Sequence, residues 1–217
     1  MRGELRVVPD VAEAFGSLVD DAAPATVAFS GGHTARACYE RLATASRVDW
    51  SRVEVLFGDE RWVPVDHEGS NEGLARRALL DRVAVRAVHS VRGAGPTIAA
   101  AAAAYDALVE ALDGIDLIHL GLGADGHTAS LFPGSAALEV TDRFVVPTSH
   151  VDFERVTFTR AAIATGRLVV VTVAGEGKRE ALQRVIDGDT TAPAARVDAD
   201  AVIWLVDPAA AGRAADG

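Results

Sequence analysis

The sequence has a single cysteine and few aromatic residues. Cys38 is the only cysteine among 217 residues, which excludes an internal disulfide and a cysteine-rich metal site. Its place in a helical pattern predicts a buried, apolar thiol. Aromatic residues make up 6% of the chain while hydrophobic residues reach 49%, so we expect a core rich in alanine, valine and leucine.

Long hydrophobic runs are also missing. No segment reaches the roughly 20 apolar residues that a transmembrane helix needs, and the first residues, MRGELRVVPD, lack the apolar centre of a signal peptide. We therefore expect a soluble, cytoplasmic protein with no membrane partner. At this length the chain is predicted to form one domain over residues 1–217.

Lysine is scarce, and acidic residues outnumber basic ones by 31 to 21. The net charge is −10, and Lys178 is the only lysine. An acidic chain repels nucleic acid and anionic membranes, so neither is an expected partner. A small anionic ligand is compatible with this charge, because distant charges are screened within about 10 Å.

Apolar, β-branched runs alternate along the chain with helical patterns. The runs predicted as strands are Leu5–Val8, Thr26–Ser30, Val53–Gly58, Asp116–Leu120, Leu168–Val173 and Ala201–Val206, with weaker patterns at Phe144–Pro147 and Val156–Thr159. The predicted helices are Val11–Leu18, Thr34–Ala45, Asn71–Leu80, Thr97–Leu112 and Lys178–Ile186. This alternation predicts a doubly wound α/β fold (Rossmann-like, three layers), in which helices cover both faces of a mainly parallel sheet.

Polar clusters follow two of these strands, SGGHT at residues 30–34 and GDERW at residues 58–62. Ligands of such folds collect at the carboxyl ends of the strands, so we expect the clusters to share one edge of the sheet. Two glycines before a helix expose backbone N–H groups that suit a phosphate, although an ordinary turn is the alternative. Arg61 can hold a phosphate with two hydrogen bonds, or it can pair with a neighbouring acid.

The segment GLGADGHTASLFPGS, residues 121–135, directly follows another predicted strand. It contains G-x-G-x-x-G, the pattern of a dinucleotide site, which should occur in the first βαβ unit and be followed by a ribose-binding acid. Here the pattern comes late, and Glu139 and Asp142 fit that role poorly. We predict instead that the glycines bend the backbone and place His127 in the first turn of a helix.

Three residues of this region have distinct predicted roles. At a helix N-terminus the dipole would keep the imidazole of His127 neutral and able to accept a proton. Asp125 could orient that ring, as the acid of a catalytic triad does, or cap the helix, and both roles can coexist. His119 lies in the middle of an apolar strand and is predicted to be a buried histidine with its polar atoms satisfied.

Two further cations occupy candidate site positions. Arg155 lies in ERVTFT, and Lys178 lies in AGEGK, a glycine turn after a predicted strand. The turn points toward the same sheet edge, although a solvated residue at a helix start is the alternative for Lys178. The chain has no H-E-x-x-H, P-loop or G-x-S-x-G motif, so we expect no metal, and Ser30 is predicted to bind rather than attack.

Taken together and in this order, these segments resemble the 6-phosphogluconolactonase family, within the glucosamine-6-phosphate isomerase/6-phosphogluconolactonase superfamily. SGGHT is similar to its phosphate loop, GDERWVP to its DER-x-VP segment, and GLGADGHTASLFPGS to its most specific signature. ERVTFT, AGEGK and PAARVDADAVIWLVDPAA match later blocks. His33 and Ala35 depart from the usual Ser or Thr and Pro, and Thr148–Phe153 replaces a proline-rich segment.

The resemblance implies hydrolysis of 6-phospho-D-glucono-1,5-lactone to 6-phosphogluconate, the second step of the pentose phosphate pathway, without a cofactor. It implies that His127 is the general base that activates water, with Asp125 and Asp59 supporting or orienting the reacting groups. The residues implied to hold the phosphate and the developing oxyanion are Ser30, Gly31, Gly32, Arg61, Arg155 and Lys178. The expected partner is a small sugar-phosphate lactone, while monomer and dimer both stay open.

Two alternatives are weighed against this function. Glucosamine-6-phosphate deaminases/isomerases share GADGH but follow it with a segment such as AFNEP, whose glutamate works in opening the sugar ring. Phe132 stands at that position here, and a phenylalanine cannot move a proton. The second alternative is a non-catalytic sugar-phosphate sensor, which would normally carry a basic helix-turn-helix that this acidic chain does not suggest.

Overall fold

The computed structural model describes residues 1–212, and a central sheet organises them. The strands are Glu4–Val7 (β1), Thr26–Phe29 (β2), Glu54–Phe57 (β3), Asp59–Arg61 (β4), Ala87–Val88 (β5), Ile115–Gly121 (β6), Val145–His150 (β7), Phe153–Phe158 (β8), Gly166–Val173 (β9) and Ala201–Val206 (β10). The α-helices are Val11–Ala22 (α1), His33–Ala45 (α2), Asn71–Ala75 (α3), Ile98–Glu110 (α4), Arg160–Ala164 (α5) and Arg179–Ile186 (α6). Arg76–Leu80 continues α3 as a π-helical turn.

The parallel sheet has the strand order β1-β10-β9-β6-β2-β3-β5. Every neighbouring pair in it is parallel. Most positions of the central strands are buried; Val169, Val170 and Val171 of β9, for example, have no exposed surface. Burial on both faces is the reason for the near-continuous apolar runs in the sequence. The predicted doubly wound α/β fold class is confirmed.

A second, antiparallel sheet has the order β4-β8-β7. Its strands β7 and β8 overlap the weaker predicted strands Phe144–Pro147 and Val156–Thr159, whereas their separation into a second sheet is not predicted from the sequence. Its strand β4, residues 59–61, lies in the GDERW segment, which the sequence indicates only as a polar cluster after a strand. Asp59 and Glu60 have little intrinsic preference for strands, and pairing with β8 is what extends them. The structure thereby places Arg61 of β4 directly opposite Arg155 of β8.

The predicted helix beginning at His127 is wrong. The described chain from residue 122 to residue 135 forms successive turns instead. Gly126 has φ +90° and Ala129 has φ +48°, both in the left-handed region that interrupts a right-handed helix. The Asp125 carboxylate also accepts the His127 backbone N–H at 3.1 Å, a local bond that competes with helix formation.

The sheet reverses its direction of growth between β2 and β6. From β2 the chain proceeds outward to β3 and β5, and from β6 it proceeds the other way to β9 and β10. The loops after β2 and β6 therefore diverge and leave a crevice at their carboxyl ends, where α/β proteins bind ligands. The two sequence segments that meet at this crevice are SGGHT and GLGADGH.

One continuous hydrophobic cluster joins the layers of the described chain. It includes Phe15 of α1, Phe57 of β3, Tyr105 of α4 and Trp204 of β10. This continuity supports a single domain over residues 1–217, which stays a prediction. Cys38 is fully buried, as predicted. In the described part of the chain, none of the helices has the length and apolar character that a membrane crossing requires.

Candidate active site

A cavity of about 190 Å³ opens at the crevice between β2 and β6. All but one of the residues proposed from the sequence line it, namely Ser30, Gly31, Gly32, Asp59, Arg61, His127, Arg155 and Lys178. They come from segments that are far apart in the chain, and the sheet brings their strand ends together. The remaining residue, Asp125, contacts the ring of His127.

Asp125 fixes the orientation and tautomer of His127. Its Oδ1 lies 2.6 Å from His127 Nδ1. Burial favours the neutral acid, but hydrogen bonds from the backbone and ring of His127 hold the pKa of Asp125 below its ordinary value. When the ring carries a single proton, the carboxylate takes the Nδ1–H, which leaves Nε2 able to accept a proton. This contact agrees with the orienting role expected for Asp125, which stays a prediction. The backbone bond caps a turn, because the predicted helix is absent from this segment.

Packing holds the same imidazole from two other directions. The ring of Phe132 lies 4.6 Å from that of His127, and it stacks in turn on His150 at 3.8 Å. Gly123 passes directly beside the imidazole, so a Cβ at that position would collide with Nδ1. The glycine pattern of this loop thus makes room for a histidine. The predicted helix dipole is not available to keep the ring neutral, because the helix is absent from this described segment.

A buried hydrogen-bond network surrounds Asp59, which is 6% exposed. Its Oδ1 accepts from Asn71 Nδ2 at 3.0 Å, and its Oδ2 accepts from Ser130 Oγ at 2.6 Å. Ser130 Oγ also lies 3.4 Å from Arg155 Nη1, so the network reaches a cation of the cavity. A Cβ at position 31 would collide with the side chain of Asn71, so the glycine leaves room for that amide.

The sequence interpretation missed Asn71 and Ser130. Ser70 caps α3 by accepting from Gly73 N at 2.9 Å. Asn71, however, also lines the cavity. Ser130 lies within the segment GLGADGHTASLFPGS, and its place in that segment is the only sequence signal that could have marked it as a site residue. Its partner Asp59 is remote in sequence.

Three cations line the cavity, namely Arg61, Arg155 and Lys178. Within residues 1–212, no carboxylate lies within ion-pair distance of any of them. Arg61 donates to Gly69 O at 2.6 Å rather than pairing with an acid. Arg155 is 8% exposed, and burial followed by the nearby charge of Arg61 lowers its pKa. The charge of Arg61 disfavours the charged form of Arg155, and an anionic ligand in the cavity would offset this repulsion.

His119, the buried histidine predicted from the sequence, lies in the protein core. His119 has no exposed surface, and its ring nitrogens contact Tyr39 and Thr172. Burial lowers the pKa of His119 to about 3. The prediction of a satisfied, buried histidine is confirmed.

The fold and the site define an α/β protein in which a histidine held by Asp125 shares one cavity with a group of cations. A family model described as glucosamine-6-phosphate isomerases/6-phosphogluconolactonase matches residues 5–204. The chain belongs to this family. Within it, the chain is 37% identical over 199 residues to a 6-phosphogluconolactonase of Nostoc sp., covering 85% of this chain and 82% of that protein. It is 35% identical to the 6-phosphogluconolactonase of Mycobacterium leprae, with 87% and 85% covered.

Solved structures are similar over nearly the whole chain. A 6-phosphogluconolactonase from Thermotoga maritima superposes with a TM-score of 0.80 at 30% identity, covering 94% of this chain and 97% of that one. The enzyme from Leishmania guyanensis gives 0.83 at 26% identity, covering 97% and 98%. A monomeric glucosamine-6-phosphate deaminase gives 0.85 at 16% identity, covering 98% and 99%, and this likeness concerns the fold alone.

Proposed function

We propose that this protein hydrolyses 6-phospho-D-glucono-1,5-lactone to 6-phospho-D-gluconate. The observation that carries the proposal is that His127 lines the same cavity as Arg61, Arg155 and Lys178. A hydrolase for a phosphorylated lactone needs a base for water and cations for a phosphate. The relatives named 6-phosphogluconolactonase supply the substrate class.

In the proposed reaction, His127 Nε2 removes a proton from water as the water oxygen attacks the lactone carbonyl carbon. The carbonyl oxygen becomes an oxyanion, and Asp125 stabilises the imidazolium that forms. When the tetrahedral intermediate collapses, the ring C–O bond breaks and Nε2–H returns the proton to the departing oxygen. A positioned base of this kind contributes about 10²–10⁴-fold.

The phosphate is assigned to the glycine turn and the cations that line the same cavity as His127. The turn Ser30–Gly32 precedes α2, whose N-terminal N–H groups and dipole favour an anion. Arg155 and Lys178 line the same cavity and add full charges, while Arg61 stands beside Arg155 in the β4–β8 pair. Asp59 is proposed to support these groups through Ser130.

The direct test is a coupled assay on freshly prepared 6-phosphogluconolactone, corrected for spontaneous hydrolysis. We expect clear acceleration by the wild-type protein. Binding of 6-phosphogluconate with no acceleration would favour the non-catalytic sensor instead. Incubation with glucosamine 6-phosphate should release no ammonia, because Phe132 carries no titratable group at the position of the deaminase glutamate. Substantial ammonia release would overturn the assignment.

Replacing Lys178 with alanine is expected to raise KM about tenfold or more while kcat changes little. The ammonium group binds the phosphate equally in the ground state and the transition state, and such uniform binding appears in KM. The same direction is expected for Arg155→Ala. Steady-state kinetics on the lactone give both constants.

Arg179→Ala is the matched control for the lysine variant. Arg179 is the next residue, but it pairs with Glu176 and does not line the cavity. Its KM should equal that of the wild type. A Lys178→Ala enzyme with unchanged KM and a tenfold lower kcat would place the lysine at the reacting carbonyl instead.

A further inference from the structure

A chain of buried polar groups lies beneath the proposed phosphate loop. It begins at Thr172 of β9, whose Oγ1 is 2.9 Å from His119 Nε2 of β6. His119 Nδ1 is 3.0 Å from the hydroxyl of Tyr39 on α2. That hydroxyl is 2.7 Å from the backbone N and 3.1 Å from the backbone O of Ser30. These hydrogen bonds therefore connect two central strands and a helix to the first residue of the loop.

Counting donors and acceptors assigns the protons of this chain. The Ser30 N–H must donate to the Tyr39 oxygen, so the single Tyr39 proton is free to go to Ser30 O. His119 Nδ1 must then carry a proton and donate it to Tyr39, and the Thr172 hydroxyl donates to Nε2. With this Nδ1–H tautomer every group has a partner. In the opposite tautomer His119 Nδ1 carries no proton and would accept the Tyr39 proton. Ser30 O would then have no hydrogen bond from Tyr39.

Burial and aromatic packing hold these hydrogen-bonded side chains rigid. Tyr39 and His119 have no exposed surface, and Thr172 is 3% exposed. The ring of Phe15 lies 4.2 Å from that of His119, and the ring of Phe29 lies 4.3 Å from that of Tyr39. Because burial lowers the pKa of His119 to about 3, the imidazole stays neutral throughout the physiological range.

We infer that Tyr39 and His119 are positioning residues for phosphate binding, in that they hold the Ser30–Gly32 turn where its N–H groups meet the substrate phosphate. This inference rests on the proposed function, which places the phosphate at that turn. Both polar atoms of the Ser30 backbone are fixed by one hydroxyl, and that hydroxyl is fixed by His119. The turn itself needs such support, since Gly32 has φ +97° and no side chain to anchor it.

The first test compares Tyr39→Phe with Tyr105→Phe. Tyr105 is the matched control because its buried hydroxyl also accepts from a backbone N–H, that of Phe57 at 2.9 Å, and donates to a carbonyl, that of His89 at 3.0 Å. We expect Tyr39→Phe to raise the KM for the lactone and the inhibition constant of inorganic phosphate about tenfold, with kcat within about threefold of wild type. Tyr105→Phe should lose comparable thermal stability and leave the phosphate constant unchanged.

His119→Leu examines the deeper part of the chain. Tyr39 keeps both contacts with Ser30 in this variant, so the phosphate inhibition constant should rise by a smaller factor, about threefold. An unchanged constant in His119→Leu would limit the positioning role to Tyr39. Unchanged phosphate binding in Tyr39→Phe, or an equal rise in Tyr105→Phe, would overturn the inference.

Nitrogen-15 NMR of the histidine rings tests the assignment in the wild-type protein without any variant. His119 is expected to show the neutral Nδ1–H tautomer between pH 5 and 8, and a neutral Nε2–H form would contradict the chain as assigned. If the wild-type protein binds phosphate but hydrolyses no lactone, the proposed function fails. The phosphate and tautomer measurements would still decide the positioning role.

Discussion

Replacing His127 with alanine is expected to lower kcat by about 10²–10⁴-fold, the range a positioned general base contributes. The variant keeps the cations of the cavity, so its affinity for 6-phosphogluconate should stay close to that of the wild type. Nδ1 is committed to Asp125 at 2.6 Å, and only Nε2 is left to take a proton from water. Initial rates on fresh lactone give kcat, and calorimetric titration with 6-phosphogluconate gives affinity.

His89→Ala serves as the comparison for this variant. His89 also contacts a carboxylate, with Nε2 2.9 Å from Glu54 Oε2, but it does not line the cavity. Its removal should leave kcat unaltered. Near-normal turnover in the His127 variant would refute the assignment of the base, whereas loss of both turnover and 6-phosphogluconate binding would indicate that the ring also holds substrate.

Replacing Gly123 with alanine is expected to reduce kcat by about 10²-fold or more, although the cavity loses no chemical group. Gly123 does not have a positive φ, so its backbone conformation suits alanine. The added Cβ, however, would collide with Nδ1 of His127 and lie 2.7 Å from Asp125 Oδ1. The imidazole must move, and small displacements of a catalytic group are costly because the reacting atoms require close alignment.

Gly177→Ala provides the matched substitution. A Cβ on Gly177 meets no atom within 4 Å, and its φ is not positive. Its activity should therefore equal that of the wild type. For Gly123→Ala we expect the melting temperature to fall by only a few degrees, since the collision concerns a partly exposed side chain. An active Gly123→Ala enzyme would show that the loop adjusts and that the glycine is not needed to place the base.

Local patterns were sufficient to predict most of the central fold. The near-continuous apolar runs of β6, β9 and β10 are mostly buried on both faces, so their composition indicates parallel strands. Helix α2 follows directly from its helical pattern after two glycines. Such elements depend on hydrophobic periodicity, which is a property of neighbouring residues.

The elements that were missed depend on distant partners. Strand β4 exists through its pairing with β8, about a hundred residues away, and its acidic residues hide that role. The helix predicted at His127 is replaced by turns because Asp125 captures a backbone N–H locally. Asn71 and Ser130 both hydrogen-bond to Asp59, to which neither is adjacent in sequence.

The amino-acid sequence by itself determined the kind of fold, the edge of the sheet that carries the polar clusters and the identity of the candidate base. Residue types and spacing suffice for these, because they reflect local periodicity and short motifs. Only the tertiary structure decided that Arg61 faces Arg155, that Gly123 makes room for His127 and that a buried tyrosine supports Ser30. Contacts of this kind arise when separate segments pack together, and no single segment encodes its partner.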